Sequence, residues 1–324
     1  MALLSQPVRR RILVIRGGAI GDFVLTLPVL AALRRAFPQC PLEILGYPHI
    51  VSLAIASSLV DAVRPIEARA LAGFFARGGG LDPGLSAYFA ECALILSFLY
   101  DPDRIFQDNV ARQSRAQFIV GPHRPDEAQG RHATAAFLEP LQRLAIFDAD
   151  PIPRLPPRAT GFAASHARPG QPLVALHPGS GSERKNWPEC RWAELMGRLF
   201  DSGQMELLLI GGEAEGERLA RLTAAYPGRP WQVARNLPLV ELADRMRECR
   251  AFVGHDSGIT HLAAAIGLPG LVLWGPSNER VWRPRSDALV LLQAADGLPQ
   301  LSSSTVAASL MNLLAVEQEA EQVE

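Results

Sequence analysis

The stretch from residue 250 to residue 276 constrains the fold more than any other part of the chain. It contains an apolar run over 251–253, the turn Gly-His-Asp-Ser-Gly, an Ala-rich segment over 259–266 and a second apolar run over 271–274. This order predicts a buried strand, a tight turn, a helix and a further strand, as in a parallel α/β sheet. Gly267 and Pro269 are typical of the end of a helix.

The turn of this stretch carries polar groups at the predicted helix start. Asp256 and Ser257 occupy the positions of an N-cap, and Gly258 follows, so backbone N–H groups would face an anion at the positive helix end. His261 lies one helical turn beyond Ser257, on the same face. Open α/β folds bind ligands at the carboxyl edge of the sheet, so this turn is a candidate ligand site. The alternative is that Asp256 and Ser257 only cap the helix and that His261 is an interior histidine.

Length and composition limit the class of protein. A chain of 324 residues is long enough for two domains with separate cores, and 48% hydrophobic with 20% charged residues is typical of a globular protein. A net charge of −1 argues against a nucleic-acid partner. The four cysteines lack CxxC spacing, which argues against a zinc site and predicts reduced thiols. No apolar run reaches membrane-spanning length and no signal peptide is evident, so we expect a cytoplasmic protein.

The chain is predicted to contain two α/β halves. The first opens with a strand over 11–15, a glycine-rich turn, a helix over 23–37 and a strand over 42–45, which is a βαβ unit. A Pro-rich stretch over 151–172 indicates the boundary, so we expect domains at 1–155 and 156–324. The last helix is expected either to stay with the second domain or to pack back on the first. The polar stretch 101–115 is predicted to be a loop.

The glycine-rich turn near the N-terminus delivers a carboxylate to the start of a helix. A dinucleotide fingerprint would need glycine at position 16, where the chain has Arg16, so NAD binding is not expected. Gly17, Gly18 and Gly21 instead allow close approach of the backbone to a ligand. Asp22 then follows as a candidate general base, with helix capping as the alternative.

Two further motifs lie in the second half. The loop 177–188 contains Ser180, Ser182 and Lys185, the single lysine of the chain, and this donor-rich composition favours a phosphate group. It is not a Walker A loop, and an ordinary polar loop is the alternative. Glu213 follows a predicted buried strand and a Gly-Gly pair, where a carboxylate can accept hydrogen bonds from ribose hydroxyls.

Taken together, these motifs resemble glycosyltransferase family 9, the heptosyltransferase family of lipopolysaccharide inner-core assembly. The resemblance rests on the sequences at 16–22 and 25–28, on the loop 177–188, on 254–265 and on the Gly-Pro pair at 275–276. It implies a GT-B fold, in which two Rossmann-like domains with parallel sheets face each other across a cleft. It also implies an inverting sugar transfer without a metal or cofactor, with ADP-heptose as the donor of the best-known members.

The same resemblance assigns roles to individual residues. Asp22 would be the general base that deprotonates the acceptor hydroxyl. The donor-binding residues would be Ser180 and Lys185 for the diphosphate or sugar, Glu213 for the ribose, and Asp256, Ser257, Gly258 and His261 for the sugar and diphosphate. Many members carry a second hydroxyl at the position of Gly181 and Asn at that of His255, and these departures leave the donor open. The acceptor would be a lipid-linked glycan, with peripheral contact at the inner membrane.

Two other functions remain compatible with these motifs. One is a GT-B enzyme that uses another nucleotide sugar, such as a UDP-GlcNAc transferase or an epimerase. The other is a nucleotide-sugar binding protein without catalysis. The residues alone predict only an enzyme that binds a phosphorylated ligand. The identity of the transferred sugar is implied by the resemblance.

Overall fold

The computed structural model describes residues 10–158, 171–203 and 205–323, with side chains up to residue 316. The chain divides into two compact units, Met1–Pro151 and Ile152–Glu324, a few residues before the expected boundary at 155/156. Much of the Pro-rich stretch that indicated this boundary, residues 159–170, lies outside the described residues.

The first unit is built on a parallel five-stranded sheet with the strand order β3-β2-β1-β4-β5. Its strands are β1 (Arg11–Arg16), β2 (Leu42–Gly46), β3 (Ala62–Pro65), β4 (Cys92–Ser97) and β5 (Gln117–Val120). Its α-helices are α1 (Ile20–Val24), α2 (Leu27–Ala36), α3 (Pro48–Ala56), α4 (Pro83–Ala90), α5 (Ile105–Ala111) and α6 (Ala133–Leu138). Short 3₁₀ helices span Arg69–Phe75, Glu127–Gln129 and Glu139–Leu144.

The apolar run of β1 explains its place at the centre of this sheet. Leu13, Val14 and Ile15 are fully buried, as expected for a parallel strand that is covered on both faces. On one face, Phe74, Phe89 and Phe106 form an aromatic cluster over the strands, with ring centroids 5.0 to 6.4 Å apart. The carboxyl end of β1 leads directly into the glycine-rich turn.

The second unit contains a parallel six-stranded sheet with the order β11-β10-β9-β6-β7-β8. Its strands are β6 (Leu173–His177), β7 (Glu206–Gly211), β8 (Trp231–Arg235), β9 (Ala251–His255), β10 (Gly270–Leu273) and β11 (Leu289–Leu292). Its α-helices are α7 (Glu189–Asp201), α8 (Gly216–Ala224), α9 (Leu239–Arg247), α10 (Gly258–Ala265), α11 (Glu279–Trp282) and α12 (Ser303–Val323), with 3₁₀ helices at Glu183–Lys185 and Leu298–Gln300.

The core of the second unit lies between the sheet and the pair α7 and α12. Trp192 and Leu195 of α7 and Val306 and Leu310 of α12 are fully buried in one apolar cluster. The last helix packs against α7, β9 and β10, all within this unit. Burial of these large side chains supplies the main driving force that holds the two helices on the sheet.

Several local predictions from the sequence were wrong. The helix expected over 23–37 is two helices, because Pro28 lacks the N–H that would donate to the Val24 carbonyl oxygen in a continuous helix. In the break, the Thr26 hydroxyl donates to the Asp22 carbonyl oxygen. The stretch 101–115 is not all loop, since α5 begins at Ile105. The Asp101 side chain accepts hydrogen bonds from the N–H groups of Phe106 and Gln107 and so supports this start.

The sequence analysis also missed two strands and misplaced the end of a third. The strands β8 and β11 lie at the two edges of the second sheet. Both are partly exposed. Polar residues interrupt β8, whereas β11 is a short apolar run, Leu-Val-Leu-Leu, that the prediction overlooked. β9 continues to His255, so the predicted turn begins at Asp256 rather than at Gly254, and His255 is a buried strand residue.

Candidate functional site

The carboxyl edge of the second sheet carries most of the predicted ligand-binding residues. β6 and β9 are adjacent and parallel, with His177 opposite Gly254, and both strands end at the same edge. The loop 178–187 follows β6, and the turn into α10 follows β9. The fold therefore brings together two segments that are separated by about 70 residues in the chain.

Lys185 and Asp256 form an ion pair at this edge. Lys185 Nζ lies 2.6 Å from Asp256 Oδ2, and the Lys185 side chain is 35% exposed whereas Asp256 is only 7% exposed. The ammonium group is thus held by a buried carboxylate but still faces solvent. It can therefore meet a negatively charged ligand without first being taken out of water. Asp256 does not cap α10.

Ser257 is the N-cap of α10. Its Oγ accepts a hydrogen bond from the Thr260 N–H at 3.3 Å and lies 3.4 Å from His177 Nδ1. Ser257 therefore does cap the helix. Gly258 is the first helical residue, and N–H groups in the first turn of a helix point outward from its positive end. This arrangement suits an anion beside Lys185.

The histidines at this edge are buried. His261 lies in the first turn of α10 and is 5% exposed, and its backbone N–H donates to the Ser257 carbonyl at 3.2 Å. Burial lowers the pKa of His177 to about 3, and the Coulomb interactions of a protonated His177 with His255 and Arg218 act in the same direction. Burial also lowers the pKa of His255 to about 4. Both rings are therefore neutral at pH 7.

Ser180 and Glu213 lie in exposed or half-buried positions near this edge. Ser180 Oγ lies 2.7 Å from Asn186 Oδ1 and 2.8 Å from the Ser182 carbonyl oxygen, so the hydroxyl also organises its own loop. Glu213 is exposed in the turn after β7. Nearby, Glu215 accepts a hydrogen bond from the Gly212 N–H at 2.9 Å, and a Cβ at Gly179 would lie 2.2 Å from the Glu215 side chain.

The predicted general base lies at the carboxyl edge of the first sheet, in α1. Asp22 Oδ2 accepts a hydrogen bond from the Ala19 N–H at 3.0 Å, so it does cap the helix, and its side chain is 31% exposed. Arg16, which is almost fully buried, lies 3.6 Å from Asp22 Oδ1 and donates to the carbonyl oxygens of Asp22 and His123. Burial lowers the pKa of Arg16 to about 10 although Asp22 opposes this shift.

The three glycines of the first turn differ in their steric surroundings. Gly18 has a φ of +100°, and a Cβ there would lie 2.7 Å from Asp22 Oδ2, so both its backbone conformation and the packing require glycine. Gly17 would place a Cβ at ordinary contact distances, 3.7 to 4.0 Å, from its neighbours. Gly21 is part of α1. Steric constraints within the protein therefore account for a glycine at position 18 but not for one at position 17.

The structure adds residues that the sequence analysis did not select. Arg218 of α8 donates to the Pro178 carbonyl oxygen at 3.0 Å and to both carboxylate oxygens of Glu183, so it holds the outer part of the loop. Trp187 donates its indole N–H to the Leu301 carbonyl oxygen at 2.9 Å. Local sequence gives no signal for these contacts because the partners are 35 to 114 residues apart.

The described parts of the chain contain neither a candidate metal centre nor a candidate membrane span. No group of three or more His, Cys, Asp or Glu residues there is arranged to hold a metal ion. No helix in the same residues combines the length and apolar character needed to cross a membrane.

The fold and the site define a class of protein, namely two-unit parallel α/β proteins with a candidate anion site. That site combines an ammonium group and a helix N-terminus at the carboxyl edge of the second sheet. The family model described as glycosyltransferase family 9 (heptosyltransferase) matches residues 107–308, more than half of the chain. The chain belongs to this family.

Related sequences carry the same description. The chain is 38% identical over 112 residues, 35% of its length, to lipopolysaccharide heptosyltransferase 1 of Pseudomonas aeruginosa. It spans 31% of that protein's length, and 44% and 52% of the lengths of two further heptosyltransferases, from Escherichia coli and Haemophilus influenzae.

Solved structures show the same fold over nearly the whole chain. A family 9 glycosyltransferase from Veillonella parvula superimposes with a TM-score of 0.75 at 19% identity, covering 96% of this chain and 99% of the other. The E. coli heptosyltransferase WaaC with ADP gives a TM-score of 0.72 at 18% identity, covering 94% and 99%. These likenesses confirm the GT-B fold of two parallel-sheet units.

Proposed function

We propose that this protein is a glycosyltransferase that moves a sugar, heptose, from ADP-heptose to a glycan acceptor of the lipopolysaccharide core. Membership of glycosyltransferase family 9 supports the reaction class. The single observation that carries the proposal is the ion pair of Lys185 and Asp256 beside the N-terminus of α10. An ammonium group and a helix end together suit the diphosphate of a nucleotide sugar.

The proposed reaction is a single displacement at the anomeric carbon. Asp22 accepts the proton of the acceptor hydroxyl as the new glycosidic bond forms, and the bond to the nucleoside diphosphate breaks, so the configuration inverts. Negative charge grows on the leaving diphosphate. Lys185 and the amides at the start of α10 stabilise this charge without a metal ion.

The remaining site residues complete the proposed donor site. Ser180 would donate to the diphosphate, Glu213 would accept from the ribose, and Asp256, Ser257, Gly258 and His261 would surround the sugar and the phosphates. We further propose a lipid-linked acceptor, which the protein meets at the cytoplasmic face of the inner membrane.

A donor screen tests this function directly. The melting temperature is measured with ADP-heptose, ADP-glucose, UDP-GlcNAc and no ligand, because a ligand that binds the folded state raises the melting temperature, and raises it more the lower its Kd at a given concentration. We expect stabilisation by the ADP sugars alone, and mass spectrometry of an acceptor incubated with ADP-heptose should show one added heptose. Stabilisation by UDP-GlcNAc only would favour the alternative of a UDP-sugar transferase or an epimerase.

A further inference from the structure

His255 lies underneath the loop 178–187 and bonds to it at two points. The ring is fully buried. Its Nε2 lies 2.8 Å from the Trp187 backbone N, and its Nδ1 lies 3.1 Å from the Gly179 carbonyl oxygen. One side chain of β9 thus connects the two ends of the segment that carries Lys185.

The two partners fix the protonation state of this ring. A backbone N–H only donates and a carbonyl oxygen only accepts, so Nε2 must be unprotonated and Nδ1 must carry the hydrogen. Burial lowers the pKa of His255 to about 4, which keeps the ring in this neutral form at pH 7. The neutral imidazole can therefore accept a hydrogen bond from one end of the loop and donate one to the other.

Packing holds the ring in this orientation. Trp192 of α7 meets His255 at nearly a right angle, with ring centroids 5.3 Å apart, and Trp192 meets Trp187 in the same way at 5.4 Å. Trp187 is itself 1% exposed. Because all three rings are buried, the two hydrogen bonds have no competition from bulk water.

We propose that His255 is a positioning residue for donor binding: it bonds both ends of the loop and so holds Lys185 where the donor diphosphate binds. The nature of the ligand rests on the proposed function. The physical basis is preorganisation, because a loop that is ordered before binding loses less conformational entropy when the ligand arrives. An apolar residue at this position would fill the space but leave a buried N–H and a buried carbonyl oxygen without partners.

Three substitutions of His255 distinguish the contributions of its two hydrogen bonds to the loop. In His255→Asn, the short amide can replace only Nδ1 and donate to Gly179. In His255→Gln, the longer amide can replace only Nε2 and accept from Trp187. His255→Leu replaces neither, and Phe252→Leu is the control because Phe252 is equally buried in β9 but points to the opposite face of the sheet.

Hydrogen exchange of the Trp187 backbone amide and the KM for ADP-heptose are measured for each variant, together with kcat and the melting temperature. We expect His255→Leu to accelerate exchange at Trp187 and to raise KM by about tenfold with a smaller change in kcat. His255→Gln should keep the exchange slow, whereas His255→Asn should not, and both should raise KM by less than His255→Leu.

The proposal is overturned if His255→Leu lowers the melting temperature as Phe252→Leu does but leaves both Trp187 exchange and KM unchanged. It is also overturned if loop exchange changes while KM remains that of the wild type. A wild-type protein that neither binds nor turns over ADP-heptose would instead overturn the proposed function, and the exchange data would still decide whether His255 orders the loop.

Discussion

Lys185 and Asp256 show what the sequence reveals about single residues and what it does not. Each was selected from its own motif, since one is the sole lysine in a donor-rich loop and the other precedes a helix start. Their contact at 2.6 Å could not be predicted, because 71 residues separate them and the register of β6 beside β9 brings them together. His255 was noted only as a departure from the family pattern, and nothing local indicated that it bonds a distant loop.

The charge of Lys185 can be tested by substitution. Lys185→Met keeps the aliphatic stem but removes the ammonium group, so we expect the Kd for ADP, measured by calorimetry, to rise by about tenfold or more. Arg184→Met removes an exposed neighbouring charge and is the matched control, for which we expect less than about a twofold change. Equal effects of the two substitutions would mean that only the general charge of the loop matters.

The central strands were predictable at the scale of secondary-structure elements, whereas α5 was not. β1, β6 and β9 are buried on both faces, so their apolar runs are visible in the sequence. In α5 only Phe106, Asn109 and Val110 are buried among polar neighbours, so its helical periodicity is weak. Its start depends on a side-chain cap from Asp101, which the sequence does not distinguish from a loop aspartate.

The contribution of this cap can be measured by urea unfolding. Asp101→Ala removes the acceptor for two N–H groups of α5, so we expect the free energy of unfolding to fall by about 1 kcal/mol. Asp103→Ala is the control, because among the described residues the contact of Asp103 is an exposed ion pair with Arg77, and we expect a loss below about 0.5 kcal/mol. A larger loss for Asp103→Ala would refute the capping role.

The buried ends of β6 and β9 predict a dependence of stability on pH. The unfolded chain takes up protons on His177 and His255 near pH 6.5, whereas the folded pKa values are lowered to about 3 and about 4. The contribution of the two neutral rings to the free energy of unfolding is therefore fully present above pH 6.5 and is lost as the pH falls below this value. Between pH 7.5 and 5 we expect a loss of about 2 kcal/mol for each histidine.

Denaturant unfolding over this pH range checks the expectation. The carboxylates with lowered pKa values, such as Glu183 and Glu189, lose their contribution only below about pH 4.5, so they do not interfere. His255→Asn should remove about half of the dependence. Stability that does not change between pH 7.5 and 5 would show that the two rings are not held neutral.

At the scale of the whole molecule, the two-unit architecture follows from the recurrence of strand–turn–helix patterns on both sides of a Pro-rich stretch. The two sheets confirm this prediction. No motif is recognisable in the sequence between residues 66 and 130 of the first unit, and we propose that the acceptor binds there. Its identity is not encoded in a local pattern, because surfaces that recognise a glycan are assembled from side chains of several elements.

The most direct test of the central claim is the activity of Asp22→Asn together with its affinity for ADP. The amide oxygen of Asn can still accept the Ala19 N–H, so the cap and the fold should remain, but the side chain can no longer take up a proton. We predict that kcat for heptose transfer falls by about 10² to 10⁴, while the Kd for ADP stays within about twofold. A variant that retains wild-type kcat would contradict the assignment of Asp22 as the base and with it the proposed mechanism.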